Sequence, residues 1–161
     1  MYAIDLGHII THYINQKGDT ISHKKLHKLL YYVEAWHLVH FNGAIINEEF
    51  EAWVHGPVIP SLYHELKEFG FNDLKVVGDE NDTPDETVNK IISDNINSDQ
   101  LELIYTVLDK YGGLSSLQLE MLTHSEKPWL IARGGALPHE NCKNIIDKGI
   151  IKEYYSSLIK N

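Results

Sequence analysis

Two short stretches of this chain each combine an indole, an imidazole and a proline, and they restrict the fold more than any other feature. Residues 51–60 are EAWVHGPVIP, and residues 123–129 are THSEKPW. Proline fixes its own φ angle and also restricts the residue before it. Because few backbone paths satisfy either stretch, we interpret both as fold signatures and expect Trp53 and Trp129 to be buried.

Elsewhere, apolar residues recur mainly at helical spacing. An amphipathic helix is predicted over residues 3–17. A second helix should begin after Ser22, a good N-cap residue, and end before Gly43, which suits a left-handed terminator. Between Tyr31 and Phe41 this second helix has few polar residues. We therefore predict that it lies at the centre of the fold, surrounded by the other helices.

The polar residues of the central helix divide into two groups. His37 and His40 lie on the same predicted face as the leucines, so both are expected in the core, bonded to a carbonyl or a tyrosine hydroxyl. Lys24, Lys25 and Lys28 lie on the opposite face, which we expect to be solvated.

A short interruption follows the central helix. Residues 44–53 carry apolar pairs around an acidic tip and end in a period-two alternation, which predicts two short antiparallel strands. Residues 55–57 then turn the chain, and a helix should begin at Pro60 and end at Gly70.

The second half is again helical. Helices are predicted after Thr83, over residues 99–111 and over residues 115–123. Ser125 should cap a further helix that buries Trp129. The predicted fold class is therefore mainly α: a compact bundle of about six or seven helices around a central helix, with one small antiparallel β-ribbon.

Length and composition predict a single domain spanning residues 1–161, because 161 residues with 43% apolar content can bury one core. Cysteine content and the first residues of the chain predict that it is cytoplasmic. The lone Cys142 cannot form an intramolecular disulfide and fits a reducing compartment. The chain starts without a signal-like segment and has no run of 18 apolar residues, so no membrane partner is expected.

The net charge argues against nucleic acid as a direct partner. Lys plus Arg number 14 and Asp plus Glu 23, which gives −9, and such a field repels phosphate backbones. A helix-turn-helix is conceivable around residues 99–123, but its second helix contains Glu120 and no Lys or Arg. Charge favours a basic or amphipathic protein partner instead, and the acidic run at 79–86 is interpreted as a solvated, helix-capping loop.

Ten histidines are the main argument for an enzyme. Residues 124–126 have the His-x-Glu spacing of zinc deaminases, but the second half of that signature, Pro-Cys-x-x-Cys, is missing. A catalytic site would require His55, His64 and His124 to converge. We predict no catalytic residues and no cofactor, and keep a histidine-dependent hydrolase or metalloenzyme as the alternative.

No metal site is predicted either. His8 and His12 are one helical turn apart, but both should face solvent without a carboxylate partner. If a metal were bound, the first ligands to test would be His23, His27, His55 and His124.

The signature stretches, together with KLHKLLYY at 25–32 and AWH at 35–37, resemble the SocA-like, or Panacea, antitoxin domain of bacterial toxin–antitoxin pairs and phage-associated genes. The resemblance runs from about Leu26 to Trp129, with a weaker echo at 150–155. It implies an antitoxin that neutralises a cognate protein toxin by direct contact, or delivers the toxin to a protease as an adaptor. A phage or mobile-element protein that binds a host defence factor is a third reading.

The resemblance implies no agreed catalytic residues, and autoregulation through an appended DNA-binding region is not expected in this chain. What it carries over is a set of family positions that we interpret as structural. These are Trp53, His55, Gly56, Pro57, Tyr63, Thr123, His124, Glu126, Pro128 and Trp129. The partner-binding residues are left open.

Overall fold

The computed structural model describes residues 1–70 and 73–159. This part of the chain forms eight α-helices and one two-stranded antiparallel sheet, so the predicted mainly helical class is confirmed, with slightly more helices than expected. The helices are α1 (Ala3–Gln16), α2 (His23–Phe41), α3 (Pro60–Leu66), α4 (Pro84–Asn95), α5 (Ser98–Tyr111), α6 (Ser116–Ser125), α7 (Lys127–Arg133) and α8 (Lys148–Leu158). The strands are β1 (Glu51–Trp53) and β2 (Gly56–Val58).

Helix α2 is the centre of the fold, as predicted. It packs against α1, α5, α6, α8 and β2, and Leu29, Leu30 and Val33 are fully buried along it. Ser22 caps its start by accepting a hydrogen bond from the amide of Lys25. The left-handed residue at its end is Asn42, with φ 55°, and not Gly43 as expected, since asparagine also tolerates this conformation.

The predicted environment of the α2 histidines is half correct. His37 is buried, and its Nδ1 lies 2.6 Å from the carbonyl oxygen of Gly43, a backbone partner of the expected kind. His40 is exposed, because it lies in the last turn of α2, where the neighbouring helices no longer surround the chain.

The prediction that three lysines of α2 face solvent is wrong for two of them. Lys24 is exposed, but Lys25 and Lys28 are 9% and 3% exposed. Lys25 donates from Nζ to the carbonyl of Gly112 at 2.6 Å. Because several elements surround α2, its polar face is covered too, and the lysine stems pack within the protein.

The ribbon is displaced towards the C-terminus from its predicted position. Strands β1 and β2 pair in register around a tight turn, with Trp53 opposite Gly56. Residues 45–48 form bends, and residues 44, 49 and 50 are irregular. The amides of Ile45 and Ile46 both donate to the buried carboxylate of Glu34 at 3.1 Å. A side chain thus satisfies the backbone donors that a strand partner would have taken.

Capping residues set the helix starts in the second half. Thr83 and Ser115 each form a capping box with the residue three positions later, as their positions predicted. Ser125 does not cap α7: its hydroxyl donates to the Leu122 carbonyl within α6, and Glu126 occupies the junction between the two helices.

Tyrosines fill much of the core around α2. Tyr31 meets Phe50 edge-on at 5.3 Å, and Tyr32 stacks on Tyr111 at 4.1 Å. Tyr155 of α8 packs against both α2 tyrosines. None of the helices within residues 1–70 and 73–159 is both long enough and apolar enough to cross a bilayer.

Candidate partner-binding pocket

An open pocket of about 670 Å³ lies where the first turn of α2, the ribbon, α3 and residues 141–143 meet. Its walls include Trp53 and Val58 of the ribbon and Tyr63 of α3. The indole and the phenol meet edge-on at 5.0 Å. Two family positions therefore form one aromatic wall of this pocket, and the volume is in the range of small-ligand and side-chain sites.

Trp53 is only half-buried, so the expectation of a buried indole is wrong at this position. Its Nε1 donates to Glu51 Oε1 at 2.8 Å along the same strand. Because the ring faces the open pocket, part of its surface is available to another molecule.

His55 lies at the exposed tip of the ribbon and also lines the pocket. Its Nδ1 is 2.8 Å from Oε1 of Glu120 on α6. The pair links the ribbon to α6, although an exposed pair of this kind contributes little stability.

His27, one turn into α2, is buried at the base of the pocket. Its Nδ1 accepts the amide proton of Ile59 at 3.3 Å, whereas Nε2 has no hydrogen-bond partner. Burial, with the charge of Lys28 in addition, lowers the pKa of His27 to about 3. The imidazole is therefore neutral at physiological pH and carries its proton on Nε2, because Nδ1 acts as an acceptor.

Lys28 is the neighbouring cation in the pocket. Its Nζ donates to the Lys24 carbonyl at 3.2 Å, which occupies one of its three protons. Burial lowers the pKa of Lys28 to about 8, while the charge of Glu120 acts in the opposite direction. The ammonium is thus mostly charged at neutral pH.

The second family stretch lies behind the ribbon. Trp129 is 6% exposed, and its Nε1 donates to the Trp53 carbonyl at 2.9 Å. His124 stacks on the indole with ring centroids 4.0 Å apart, and the Arg133 guanidinium lies 4.9 Å from the indole ring. Arg133 also donates to the carbonyl of Ala52 at 3.0 Å. These contacts join α7 to β1 and so position the pocket wall.

Glu126 is a buried carboxylate between α6 and α7. Its Oε1 accepts from the hydroxyls of Tyr32 at 2.5 Å and Tyr155 at 3.0 Å. Burial raises its pKa, and both hydrogen bonds oppose that rise. Pro128 follows in the first turn of α7 and is buried, so this family position lies against the core and away from solvent.

Gly56 has a φ of 114°, a region that residues with a Cβ rarely adopt. A Cβ there would also lie 3.1 Å from Thr123 Oγ1 and 3.5 Å from Lys28 Cε. Pro57 follows within β2 and is buried. The family positions Gly56, Pro57 and Thr123 therefore meet where the ribbon passes closest to α6 and α2.

We expect Gly56→Ala to destabilise the protein by about 1 kcal/mol, because alanine cannot adopt a positive φ without strain. Urea unfolding followed by circular dichroism measures this. Gly113→Ala is the matched control, since that glycine is exposed and its Cβ would meet no atom within 4 Å. Equal unfolding free energies for the two variants would contradict the expectation.

The three histidines that a catalytic site would require are only partly brought together. His55 pairs with Glu120, and the same carboxylate opposes the lowering of the His124 pKa by burial. His64 is exposed on α3 beside Tyr63 and does not line the pocket. The histidines that accompany His55 there are instead His23 and His27.

The residues considered as metal ligands are also only partly brought together, because His23, His27 and His55 line the pocket and His124 does not. Within the residues that the structure describes, no three His, Cys, Asp or Glu side chains are arranged to hold a metal ion. His12 does have a carboxylate partner, contrary to expectation: its Nε2 lies 2.5 Å from Asp85 Oδ1 on α4. His8 is half-buried, and burial lowers its pKa.

From the sequence, His27 was named only as a ligand to test if a metal were bound, Lys28 was placed on a solvated face, and Arg133 was not singled out. Arg133 had no local signal, because its carbonyl acceptors lie on other segments. For the pocket residues a signal was present. The first turn of α2 carries His23, Lys24 and no acid, whereas acidic residues are favoured at that end of a helix.

The fold and the pocket together define a mainly α-helical protein whose small β-ribbon borders an open, aromatic-walled site. The family model for the antitoxin SocA-like Panacea domain matches residues 26–130. The chain therefore belongs to the SocA-like antitoxin family, as its sequence resemblance indicated. No curated protein and no solved structure gives a significant match.

Proposed function

We propose that this protein is an antitoxin that neutralises a cognate protein toxin by direct binding. The observation that supports this most strongly is the match to the SocA-like antitoxin family over residues 26–130. That segment includes α2 from Leu26 onward, the ribbon, α3 and the α6–α7 junction. In this proposal residues 1–161 form one cytoplasmic domain that requires no cofactor or metal and binds neither nucleic acid nor membrane directly.

Two surfaces support a binding role. The pocket leaves the half-buried Trp53 and Tyr63 accessible at its wall. On α6, Leu117 and Met121 are one turn apart and 63% and 65% exposed. Exposed aromatic and apolar side chains of this size are typical of protein interfaces.

The chemistry of the histidines argues for binding over catalysis. His27 is neutral, and one of its ring nitrogens already accepts a backbone amide proton. His124 is stacked against Trp129. A general acid or base needs a pKa near the working pH and access to its substrate, and neither group combines both.

The decisive experiment is co-expression with the product of the neighbouring gene, tested as the toxin. The variants His55→Gln, His64→Gln and His124→Gln should each restore growth as well as the wild type does, provided that circular dichroism shows a native fold. Partner affinity is measured in parallel on purified proteins. A folded variant with normal partner affinity and no protection would overturn the binding mechanism in favour of a histidine-dependent enzyme.

Sequestration and proteolytic delivery differ in the fate of the toxin. If the protein acts only by binding, the toxin level stays constant on co-expression, and toxin and antitoxin co-purify. If it is also an adaptor, the toxin half-life falls severalfold and recovers in cells lacking the protease. The product of the neighbouring gene could prove non-toxic while a host defence factor co-purifies with the protein. In that case the partner is the defence factor and not a toxin.

A further inference from the structure

The pocket is electropositive although the chain is acidic. The net charge is −9, yet none of the described residues that line the pocket is Asp or Glu. Four lysines line it: Lys24, Lys28, Lys67 and Lys143. Glu120, the carboxylate that acts on Lys28, is already paired with His55. The local charge of the pocket is thus opposite to that of the whole chain.

The start of α2 adds to this positive potential. The first backbone N–H groups of a helix lack intrahelical acceptors and form the positive end of its dipole. In α2, which is 19 residues long, the first turn carries His23 and Lys24 and no acidic residue, and both side chains line the pocket. Nothing in that turn neutralises the helix end, so it favours an anion.

Two of the described pocket residues have a buried imidazole nitrogen without a hydrogen-bond partner. His27 and His23 are 2% and 8% exposed, and both line the pocket. His27 Nε2 and His23 Nδ1 form no hydrogen bond. Because His27 Nδ1 accepts the Ile59 amide proton, its Nε2 carries a proton with no acceptor. Buried polar groups are nearly always paired, so this donor identifies a position for an acceptor oxygen of a ligand.

The pocket also has an apolar lining. Trp53, Val54, Val58 and Tyr63 contribute to it. A ligand that satisfies the whole pocket therefore combines an anionic oxygen with an aliphatic or aromatic part. An acidic peptide segment has both, since a glutamate or aspartate can lie next to an apolar residue.

We propose that this pocket binds an acidic segment of the protein partner, with a carboxylate at His27 and Lys28 and an adjoining apolar side chain against Trp53 and Tyr63. The identity of the ligand as a protein segment rests on the proposed function. The carboxylate preference rests on the pocket alone. The negative field of the whole chain then attracts a partner that is basic overall, and the pocket selects one acidic element on that partner.

The test uses a capped hexapeptide that alternates leucine with glutamate, and a matched peptide with glutamine in place of glutamate. The glutamate peptide should bind the full chain with a Kd below about 1 mM, and the glutamine peptide at least about fivefold more weakly. On binding, the Nε2 proton of His27 should shift in the NMR spectrum of the wild-type protein. Equal affinity for both peptides, or an unchanged His27 signal, would overturn the proposal.

Surface lysines provide a variant that does not disturb the core. Lys24, Lys67 and Lys143 are exposed, so the triple change to glutamine should preserve folding. This triple variant should bind the glutamate peptide about fivefold more weakly or worse, because three favourable charge interactions are lost.

The matched control replaces three exposed lysines outside the pocket, Lys17, Lys75 and Lys127, with glutamine, which leaves the same net charge. It should change affinity by less than about twofold. Equal losses in the two triple variants would assign the effect to long-range charge and overturn the site.

Inorganic phosphate and ATP form the third arm of the experiment. Tight binding of either, without binding of the glutamate peptide, would show that the pocket holds a phosphorylated small molecule, and the acidic-segment proposal would fall. Because no toxin is present in these titrations, their outcome is independent of neutralisation. Peptide binding without neutralisation would refute the proposed function and leave the pocket assignment intact.

Discussion

Replacing Trp129 with alanine is expected to lower the free energy of unfolding by about 3–5 kcal/mol, the usual range for deletion of a buried aromatic side chain. The indole is 6% exposed and stacks against His124. It also donates to the Trp53 carbonyl and lies under the Arg133 guanidinium. Urea denaturation at pH 7, followed by tyrosine and tryptophan fluorescence and by circular dichroism, measures the loss.

Trp53→Ala is the matched comparison, because it deletes the same side chain from a half-buried position. Its unfolding free energy should fall by about half as much or less, since less apolar surface leaves the interior. Partner binding should weaken more than for any variant outside the pocket. A Trp129→Ala loss below about 1 kcal/mol would mean that the α7–β1 junction contributes little to the fold.

Local signals were sufficient to locate most helix boundaries from the sequence. Ser22, Thr83 and Ser115 each bond to a backbone amide within the next turn, so their effect depends only on neighbouring residues. Pro60 begins α3 for the same kind of reason. These boundaries were predictable because no distant part of the chain is needed to form them.

The ribbon could not be placed because a distant side chain decides its position. Glu34, on α2, accepts hydrogen bonds from the amides of Ile45 and Ile46 and also lies 3.4 Å from the Lys148 ammonium of α8. Periodicity does not report such a partner. The alternation in residues 50–53 was recognised, but its partner strand lies after the turn and not before it.

The pocket was equally inaccessible to sequence arguments. It combines the start of α2, the ribbon, α3 and residues 141–143, which only the tertiary fold brings together. A helical wheel places Lys28 on a polar face and predicts exposure. Other elements cover that face, and burial converts a surface lysine into a pocket cation with a pKa near 8.

Between pH 7 and pH 5 the wild-type protein should lose about 2 kcal/mol of stability through His27 alone. Burial, together with the charges of Lys28 and His23, lowers the pKa of His27 to about 3 in the folded state, whereas an unfolded histidine has a pKa of about 6.5. The unfolded chain therefore binds more protons in this range. Stability is fully present above pH 6.5 and falls as the pH drops towards 3.

Other buried groups titrate in the same range, so a difference measurement is needed. The pKa values of His23 and His37 are also lowered by burial, which adds acid sensitivity. Those of Glu34 and Glu126 are raised by burial, which acts in the opposite direction because these folded carboxyls take up protons first. The pH dependence of the wild type alone would mix these contributions.

His27→Asn isolates the contribution of His27 to the pH dependence of stability, because the asparagine Oδ1 can replace Nδ1 as the acceptor for the Ile59 amide. The variant should be less stable than the wild type at pH 7, yet it should lose about 2 kcal/mol less between pH 7 and pH 5, since residue 27 then has no group that protonates on unfolding. Urea unfolding at pH 7, 6 and 5 gives both slopes. His64→Asn, at an exposed histidine of α3, should run parallel to the wild type. If the His27→Asn curve were also parallel, His27 would protonate equally well in the folded protein, and its neutral Nε2–H could not be the donor that awaits a ligand in the pocket.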